Sequence, residues 1–267
     1  MGEHSTTSYL LRVATGSFYI YNQPVIININ KPRTWTSNDV VTVMKKKLNT
    51  KHVGHAGTLD PLATGVLLVL TEKDTKKQLQ LMDLKKEYVA EVVFGAFSPT
   101  YDMEMMPVLA DNILSFDQVC SALPAVVAGF IGEQDQTAPA FSAKKVGGKV
   151  LYREARRGKI NELKLPVKRI TIFNIDIMVT YETLVDTDKG LQKLPTAKLK
   201  IVCSSGTYIR SLAVDLGKAL GTTSVMYSLV RTAIGSYTLA ASQELKDFKV
   251  DEKITNSVES ALPLQQP

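Results

Sequence analysis

Apolar positions along this chain recur with two periods, and the switches between them predict the order of its elements. Residues 25–29 are β-branched apart from one asparagine and stop at Asn30, Lys31 and Pro32, which predicts a strand. Ser37 then offers a cap to a helix with Val40, Val41, Met44 and Leu48 on one face and Lys45, Lys46 and Lys47 in its last turn. The unbroken apolar run 66–70 predicts a strand buried on both faces. TEKDTKKQLQLMDLKK reads as a helix carrying Lys73, Lys76, Lys77, Lys85 and Lys86. From 88 to 95 the period drops to two, placing Tyr88, Ala90, Val92 and Phe94 on one face of a strand. Ser115 and Gln118 have capping-box spacing at the head of a helix through Val119, Leu123 and Val127.

Two strands, 168–181 and 197–203, are expected to flank a polar loop holding Asp186, Asp188 and Gly190. The second leads into SSGTYIRSLAVDLGKALG, where Ile209, Leu212, Ala213, Leu216 and Leu220 form a helical stripe capped near 205–207, with Tyr208 and Arg210 off the stripe. A last strand or two turns Leu229, Ile234 and Tyr237 inward. The alternation predicts a mixed α/β domain over 23–242, with an insertion at 136–159. Residues 1–22 read as a loosely ordered leader with one short strand at 18–21, and 243–267 as a short polar tail.

Composition narrows the class. A chain of 267 residues, 45% hydrophobic and 22% charged, has ample core for a globular protein. Its net charge of +6 points to an anionic partner, with nucleic acid first. Cys120 and Cys203 show no ligand spacing, so reduced thiols in the cytosol are expected. His4, His52 and His55 are the only histidines and form no zinc pattern, so no metal is expected. The first residues lack a basic head with a long apolar core, and no run approaches eighteen apolar residues, so neither a secretory signal nor a membrane span is expected.

The densest chemical signal is GHAGTLDPLATGVLLVL, residues 54–70. Gly54, Gly57 and Gly65 allow positive φ or close ligand approach, Pro61 biases Asp60 towards extended backbone, and one carboxylate stands at a strand entrance. An aspartate there also suits a plain turn, bonded to its own amides. Tyr88 fits either a core or a site. Lys45, Lys46 and Lys47 suit either a helix C-terminus or phosphate contact. In TAPAFSAKKVGGKVLYREARRGK, Gly147 and Gly148 read as a turn between basic arms, with Phe141 and Tyr152 among Lys144, Lys145, Lys149, Arg153, Arg156 and Arg157. Six cations within fourteen residues, with Glu154 as the local carboxylate, favour an RNA grip over a solvated hairpin. Arg210 opens a helix, where a cation is disfavoured, so it calls for a partner: a carboxylate such as Asp60, or a surface ion pair. No GxxxxGK[ST] loop surrounds Gly57 or Gly65, which argues against an NTPase.

NKPRTWTSNDVV, GHAGTLDPLATGVL, KKEYVAEVVFG, SPTYDMEM, APAFSAKKVGGKVLYREARRG, CSSGTYIRSLAVDLGKALG and SLVRTAIGSY follow in this order, and with them the chain resembles the TruB-type tRNA pseudouridine synthases. The resemblance covers residues 26–242. It implies a curved, largely antiparallel mixed sheet flanked by helices, with the active cleft across its middle. It implies isomerisation of uridine at position 55 in the TΨC loop of tRNA, with Asp60 as nucleophile and no cofactor. Tyr88 would stack on the flipped base and serve in proton abstraction at C5, and Arg210 would pair with the aspartate. Tyr208 and Leu229 would line the pocket, Lys31 and Pro32 support it, and His55 hold the everted nucleotide. The RNA-binding residues Lys144, Lys145, Lys149, Tyr152, Arg153, Arg156 and Arg157 fall in the insertion that grips the RNA arm.

Against the family pattern, Thr34 replaces the glycine of KPxGxTS, and Met105 and Met106 stand where an acidic residue and glycine are expected. The chain ends near where relatives continue into a PUA-type RNA-binding domain, so a catalytic domain without it is expected, acting as a monomer on the T-arm in the cytoplasm or an organelle. Two rivals remain: the same chemistry on a T-arm-like stem-loop of another RNA, or an RNA-binding or folding protein without turnover.

Overall fold

The β-branched segment at 25–29 forms its predicted strand, starting one residue later than the pattern places it. The computed structural model describes residues 25–142, 144–159 and 165–248, and the expected leader 1–22, with its strand at 18–21, and the tail beyond 248 lie outside them. The chain divides into two compact units, one formed by the residues up to Met82 with those from Tyr237 onward, the other by residues 83–236.

In the first unit, β1 (Ile26–Lys31) is followed by α1 (Ser37–Lys47), β2 (Val53–Ala56) and β3 (Thr64–Thr71). β3 is antiparallel to β1, with Ile26 opposite Leu70 and Lys31 opposite Gly65, and antiparallel to β2, with His55 opposite Val69. Every residue of the run 66–70 is fully buried, as its composition predicts. α1 starts one residue earlier than its sequence cue: Thr36 is the cap, in a reciprocal box with Asp39, and Ser37 is buried. Val40, Val41 and Met44 join Ile27, Ile29, Leu67 and Val69 in one core. The long helix expected over 71–86 is instead a 3-10 turn (Glu72–Lys77) and the short α2 (Gln78–Asp83). Leu79 is 78% exposed there, so the apolar face that would support a longer helix is absent, and Lys86 belongs to the next strand.

The second unit is built on β4 (Lys86–Phe94), whose Tyr88, Ala90, Val92 and Phe94 are buried as expected. Then come β5 (Ala96–Phe97) and β6 (Val108–Leu109), which pair with each other, α3 (Phe116–Gly129) behind the predicted Ser115–Gln118 capping box, and β7 (Gly132–Thr137). β8 (Lys145–Val146) and β9 (Lys149–Val150) form a hairpin leading into α4 (Leu151–Arg156). Gly147 and Gly148 have φ of 56° and 78°, the double positive φ of a tight two-residue hairpin turn. β10 (Val167–Thr187), β11 (Gly190–Cys203), α5 (Ile209–Ala219) and β12 (Ser224–Ile234) complete the unit.

Its strands run antiparallel in the order β12, β4, β11, β10, β7. The expected polar loop between β10 and β11 is paired strand up to Thr187 opposite Gly190. Ladder bonds use backbone groups whatever the side chain, and Val185 and Leu194 point into a core with Val93, Ala96 and Val225 while Asp186 and Asp188 face solvent. The chain returns to the first unit with β13 (Tyr237–Thr238) and β14 (Gln243–Glu244), the latter parallel to β1. The fold is mixed α/β, with helices flanking largely antiparallel strands. No helix among the described residues is long and apolar enough to cross a membrane.

Candidate active site

Each unit carries part of the residue set singled out in the sequence. In the first, Asp60 lies half-buried in the turn between β2 and β3, with its carbonyl accepting from the Ala63 N–H at 3.1 Å. Gly57, just before this turn, has φ 87°, a conformation open to glycine. The loop is pinned from both sides. Leu59, one residue before the aspartate, is buried and donates its N–H to Ser37 Oγ at 2.9 Å. Pro61, one residue after, presents its carbonyl to the Thr34 N–H at 2.8 Å and to Lys31 Nζ at 3.2 Å.

Lys31 is fully buried, and its ammonium also donates to the carbonyls of Pro32 (2.9 Å) and Trp35 (2.6 Å). A buried cation is tolerated when oxygen dipoles replace its water, and these carbonyls come from two loops that Lys31 ties together. Its place beside Pro32 accords with the supporting role that the resemblance implies. His55 is half-buried on β2, and its carbonyl accepts from Gln78 Nε2 at 2.9 Å.

In the second unit, Tyr88 is 8% exposed on β4, opposite Ile201 of β11 and Arg231 of β12. Directly opposed residues share a face, so the tyrosine ring and the guanidinium lie on one side of the sheet. Leu229, also buried, stands opposite Ala90 on that face. Lys86 begins the same strand, buried, with its ammonium donating to the Leu84 carbonyl at 2.5 Å. Burial, and then the Arg231 charge, pushes Lys86 down to about 8, while burial pushes the neighbouring Cys203 thiol up to about 11. Sequence reasoning misses both buried cations: Arg231 lies in the SLVRTAIGSY motif but is given no role of its own, and Lys86 falls on the surface of the expected helix. The one cue is that Lys86 stands two residues before Tyr88, on the same strand face.

α5 is capped differently from its sequence cue. Tyr208 is the cap residue, without a capping side chain of its own. The Gln136 side chain takes over, accepting the Tyr208 N–H at 2.7 Å and donating to its carbonyl at 3.0 Å. Arg210 lies off the apolar stripe yet is only 5% exposed, because α5 is buried on nearly all sides of its first turns. Its Nη1 donates to the Thr100 carbonyl at 2.8 Å and its Nη2 to the Phe141 carbonyl at 3.0 Å. Within this unit, Asp102 faces it at 3.8 Å from Nε, itself 2% exposed and accepting the Glu104 N–H at 3.0 Å. The SPTYD turn thus presents Arg210 with a carbonyl and a carboxylate at once. In the sequence Asp102 belongs to a motif but has no role of its own, since its distance from Arg210 along the chain hides the pair.

The insertion is rooted on α5 at three points: Gln136 on Tyr208, the Thr137 carbonyl accepting from Ser211 Oγ at 2.9 Å, and Phe141 on Arg210. Tyr152 is half-buried, and the guanidinium carbons of Arg153 and Arg156 stand 5.8 and 5.9 Å from its ring centre. The repulsion expected of this segment is partly relieved from within. Glu154 pairs with Arg157 at 3.0 Å, and Glu104, from the loop after SPTYD, reaches Arg156 at 3.0 Å. Lys149 and Arg153 are exposed, and Lys144 is half-buried.

With this geometry in place, residues 45–209 match the family model described as TruB family pseudouridylate synthase (N terminal domain). A tRNA pseudouridine synthase B from Parabacteroides distasonis is 40% identical over 233 residues, covering 84% of this chain and 92% of that protein. One from Thermus thermophilus is 35% identical over 247 residues, covering 85% and 78% respectively. Among solved structures, a Cbf5-Nop10-Gar1 complex contains a chain similar to this one, with TM-score 0.59 and 27% identity over 83% of this chain and 52% of that one, so this chain spans about half its length. By the extent of the family match and the coverage of these relatives, the chain belongs to the TruB family of pseudouridylate synthases.

Proposed function

We propose that this chain isomerises uridine to pseudouridine at position 55 in the T-arm of tRNA, with Asp60 as nucleophile and residues 23–242 as the catalytic domain. The observation that carries this reading is the family match, whose span includes Asp60, Tyr88 and the whole basic insertion. In the reaction the N1–C1′ bond breaks, the uracil turns in place, C5 bonds to C1′, and the C5 hydrogen leaves as a proton while N1 gains one. No electrons are gained or lost overall, so the work left to the protein is extrusion of the base, positioning and proton transfer.

Asp60 is suited to the nucleophile's part because Ser37, Thr34 and Lys31 hold the residues on either side of it, fixing the backbone from which its carboxylate extends. Tyr88 offers an aromatic face for the everted base and a hydroxyl for the proton at C5, and Leu229, Tyr208 and His55 complete the lining. Arg210 holds the Phe141 carbonyl and so fixes the root of the segment that grips RNA. The exposed cations of that segment meet phosphates. The chain works as a monomer, in the cytoplasm.

Tritium release from tRNA labelled with [5-³H]uridine tests the reading. Wild type releases tritium from a transcript with the T-loop uridine intact and none from one carrying cytidine there. Asp60→Asn folds and binds tRNA without release. Release by the Asn variant would remove Asp60 from this role, and release that ignores the T-loop substitution would direct the same chemistry to another RNA site.

A further inference from the structure

Among the described residues, the large apolar side chains that stand exposed include two aromatic ones, Trp35 and Phe173. Phe173 already has the Lys85 ammonium over its ring, 4.0 Å from the centre. Trp35, the only tryptophan in the chain, is 36% exposed on the loop between β1 and α1, in the same unit as Asp60. Exposure alone says little about an aromatic side chain. What distinguishes Trp35 is a backbone held on every side.

The Lys31 ammonium that takes the Trp35 carbonyl at 2.6 Å also takes that of Pro61 at 3.2 Å, so one buried cation ties the residue bearing the indole to the residue after Asp60. Before Trp35, Thr34 is held at φ 71° with its N–H on the same Pro61 carbonyl at 2.8 Å. After it, Thr36 closes the cap of α1, giving its N–H (2.8 Å) and its hydroxyl (2.7 Å) to the Asp39 carboxylate. A left-handed conformation in a residue other than glycine persists only where its surroundings over-determine it, and such residues cluster at ligand sites. The loop is therefore fixed beside the candidate nucleophile, and it presents Arg33 and Trp35 to solvent. A π face beside a guanidinium is the chemistry that holds an unpaired nucleotide, the base on the ring and the phosphate on the cation. Asp39, the nearest carboxylate along the chain, is turned onto Thr36 in the cap.

Resting on the reading that this chain acts on a tRNA loop, we infer that Trp35 and Arg33 form a nucleotide platform beside Asp60, the indole stacking on an unpaired base that flanks the target uridine and the guanidinium meeting its phosphate. Everting the uridine leaves its neighbours without a stacking partner. An indole held next to the Asp60 loop replaces the contact they lose.

The test adds an unmodified T-arm stem-loop transcript to the protein and reads indole emission, which in this chain reports Trp35 alone, together with the Kd of wild type, Trp35→Leu, Trp35→Phe and Arg33→Gln. Wild-type emission should fall as RNA binds. Trp35→Leu, apolar without a π face, should bind about tenfold more weakly, and Trp35→Phe, which keeps a smaller stacking face, should lose less. Arg33→Gln should flatten the plot of log affinity against log salt by about 0.7–0.9, whereas Trp35→Leu should leave the slope unchanged, because stacking releases no counterions. Abasic substitution of one loop nucleotide should leave wild-type emission unquenched and weaken wild type about tenfold, with no further effect on Trp35→Leu. Emission that ignores bound RNA, or unchanged affinity in Trp35→Leu, would overturn the inference by placing the RNA elsewhere. Equal losses in Trp35→Leu and Trp35→Phe would overturn it by making the ring a packing element of its own loop. Binding and emission are read without turnover, so a wild type that binds and is quenched but releases no tritium would count against the isomerase reading alone.

Discussion

Thr34 holds φ at 71°, a left-handed conformation that a β-branched residue rarely adopts, at the position where the family pattern has glycine. Holding an L-residue there costs about 1–2 kcal/mol. Glycine removes that strain but returns about 0.5–1 kcal/mol through the greater freedom of the unfolded chain. The Thr34 hydroxyl, which donates to the Arg33 carbonyl at 2.6 Å, is exposed and its loss adds little. Thr34→Gly should therefore stabilise the protein by about 0.5–1 kcal/mol, raising the melting temperature by about 2–4 °C per kcal/mol. Thr34→Ala should be near neutral, and Thr34→Val, equally branched at Cβ but without the hydroxyl that bonds the Arg33 carbonyl, no more stable than wild type. The conformation also aims the Thr34 N–H at the Pro61 carbonyl beside Asp60, and glycine keeps that bond, so tritium release should be undiminished. Thr34→Pro, which has no N–H and cannot reach this φ, should lose both stability and turnover. Equilibrium urea unfolding reads the series as a shift of midpoint at constant slope. A glycine variant no more stable than the alanine variant would refute the claim that backbone strain is stored at this turn.

Three further outcomes follow from the second unit. Gly217 of α5 approaches β12 so closely that an added Cβ would press on Ser224, reaching its backbone nitrogen at 2.8 Å, so Gly217→Ala should destabilise by about 1–3 kcal/mol on urea unfolding. Between pH 8, where Lys86 titrates when folded, and its ordinary 10.5, the unfolded chain binds more protons than the folded one, so stability rises with pH over that window. Cys203, raised to about 11 from 9.0, opposes this above pH 9, which confines the net gain to pH 8–9; urea midpoints should rise there in wild type and stay level in Lys86→Met. Replacing Lys144, Lys145 and Lys149 together with glutamine should weaken tRNA binding and flatten the plot of log affinity against log salt by about 0.7–0.9 for each phosphate no longer neutralised, and an unchanged slope would place the RNA elsewhere.

Local rules are enough for much of this chain. The apolar run 66–70, the two-residue period at Tyr88, the Ser115–Gln118 box and the Gly147–Gly148 turn depend on neighbours a few residues apart, and each is found where its pattern places it. Motif order identifies the family, because a family signature is itself a property of sequence. Tertiary structure alone decides which charges are buried and what they meet. Lys31 and Lys86 are lysines like many others in sequence, yet one is fully enclosed by loop carbonyls and the other begins a buried strand. The Asp102 partner of Arg210 lies in a turn far away along the chain, brought beside α5 as the strands of the second unit assemble. The physical reason is one of range: periodicity and capping report backbone geometry within a turn or two, whereas the burial of a charge and the partner it finds are set by segments that only folding brings together.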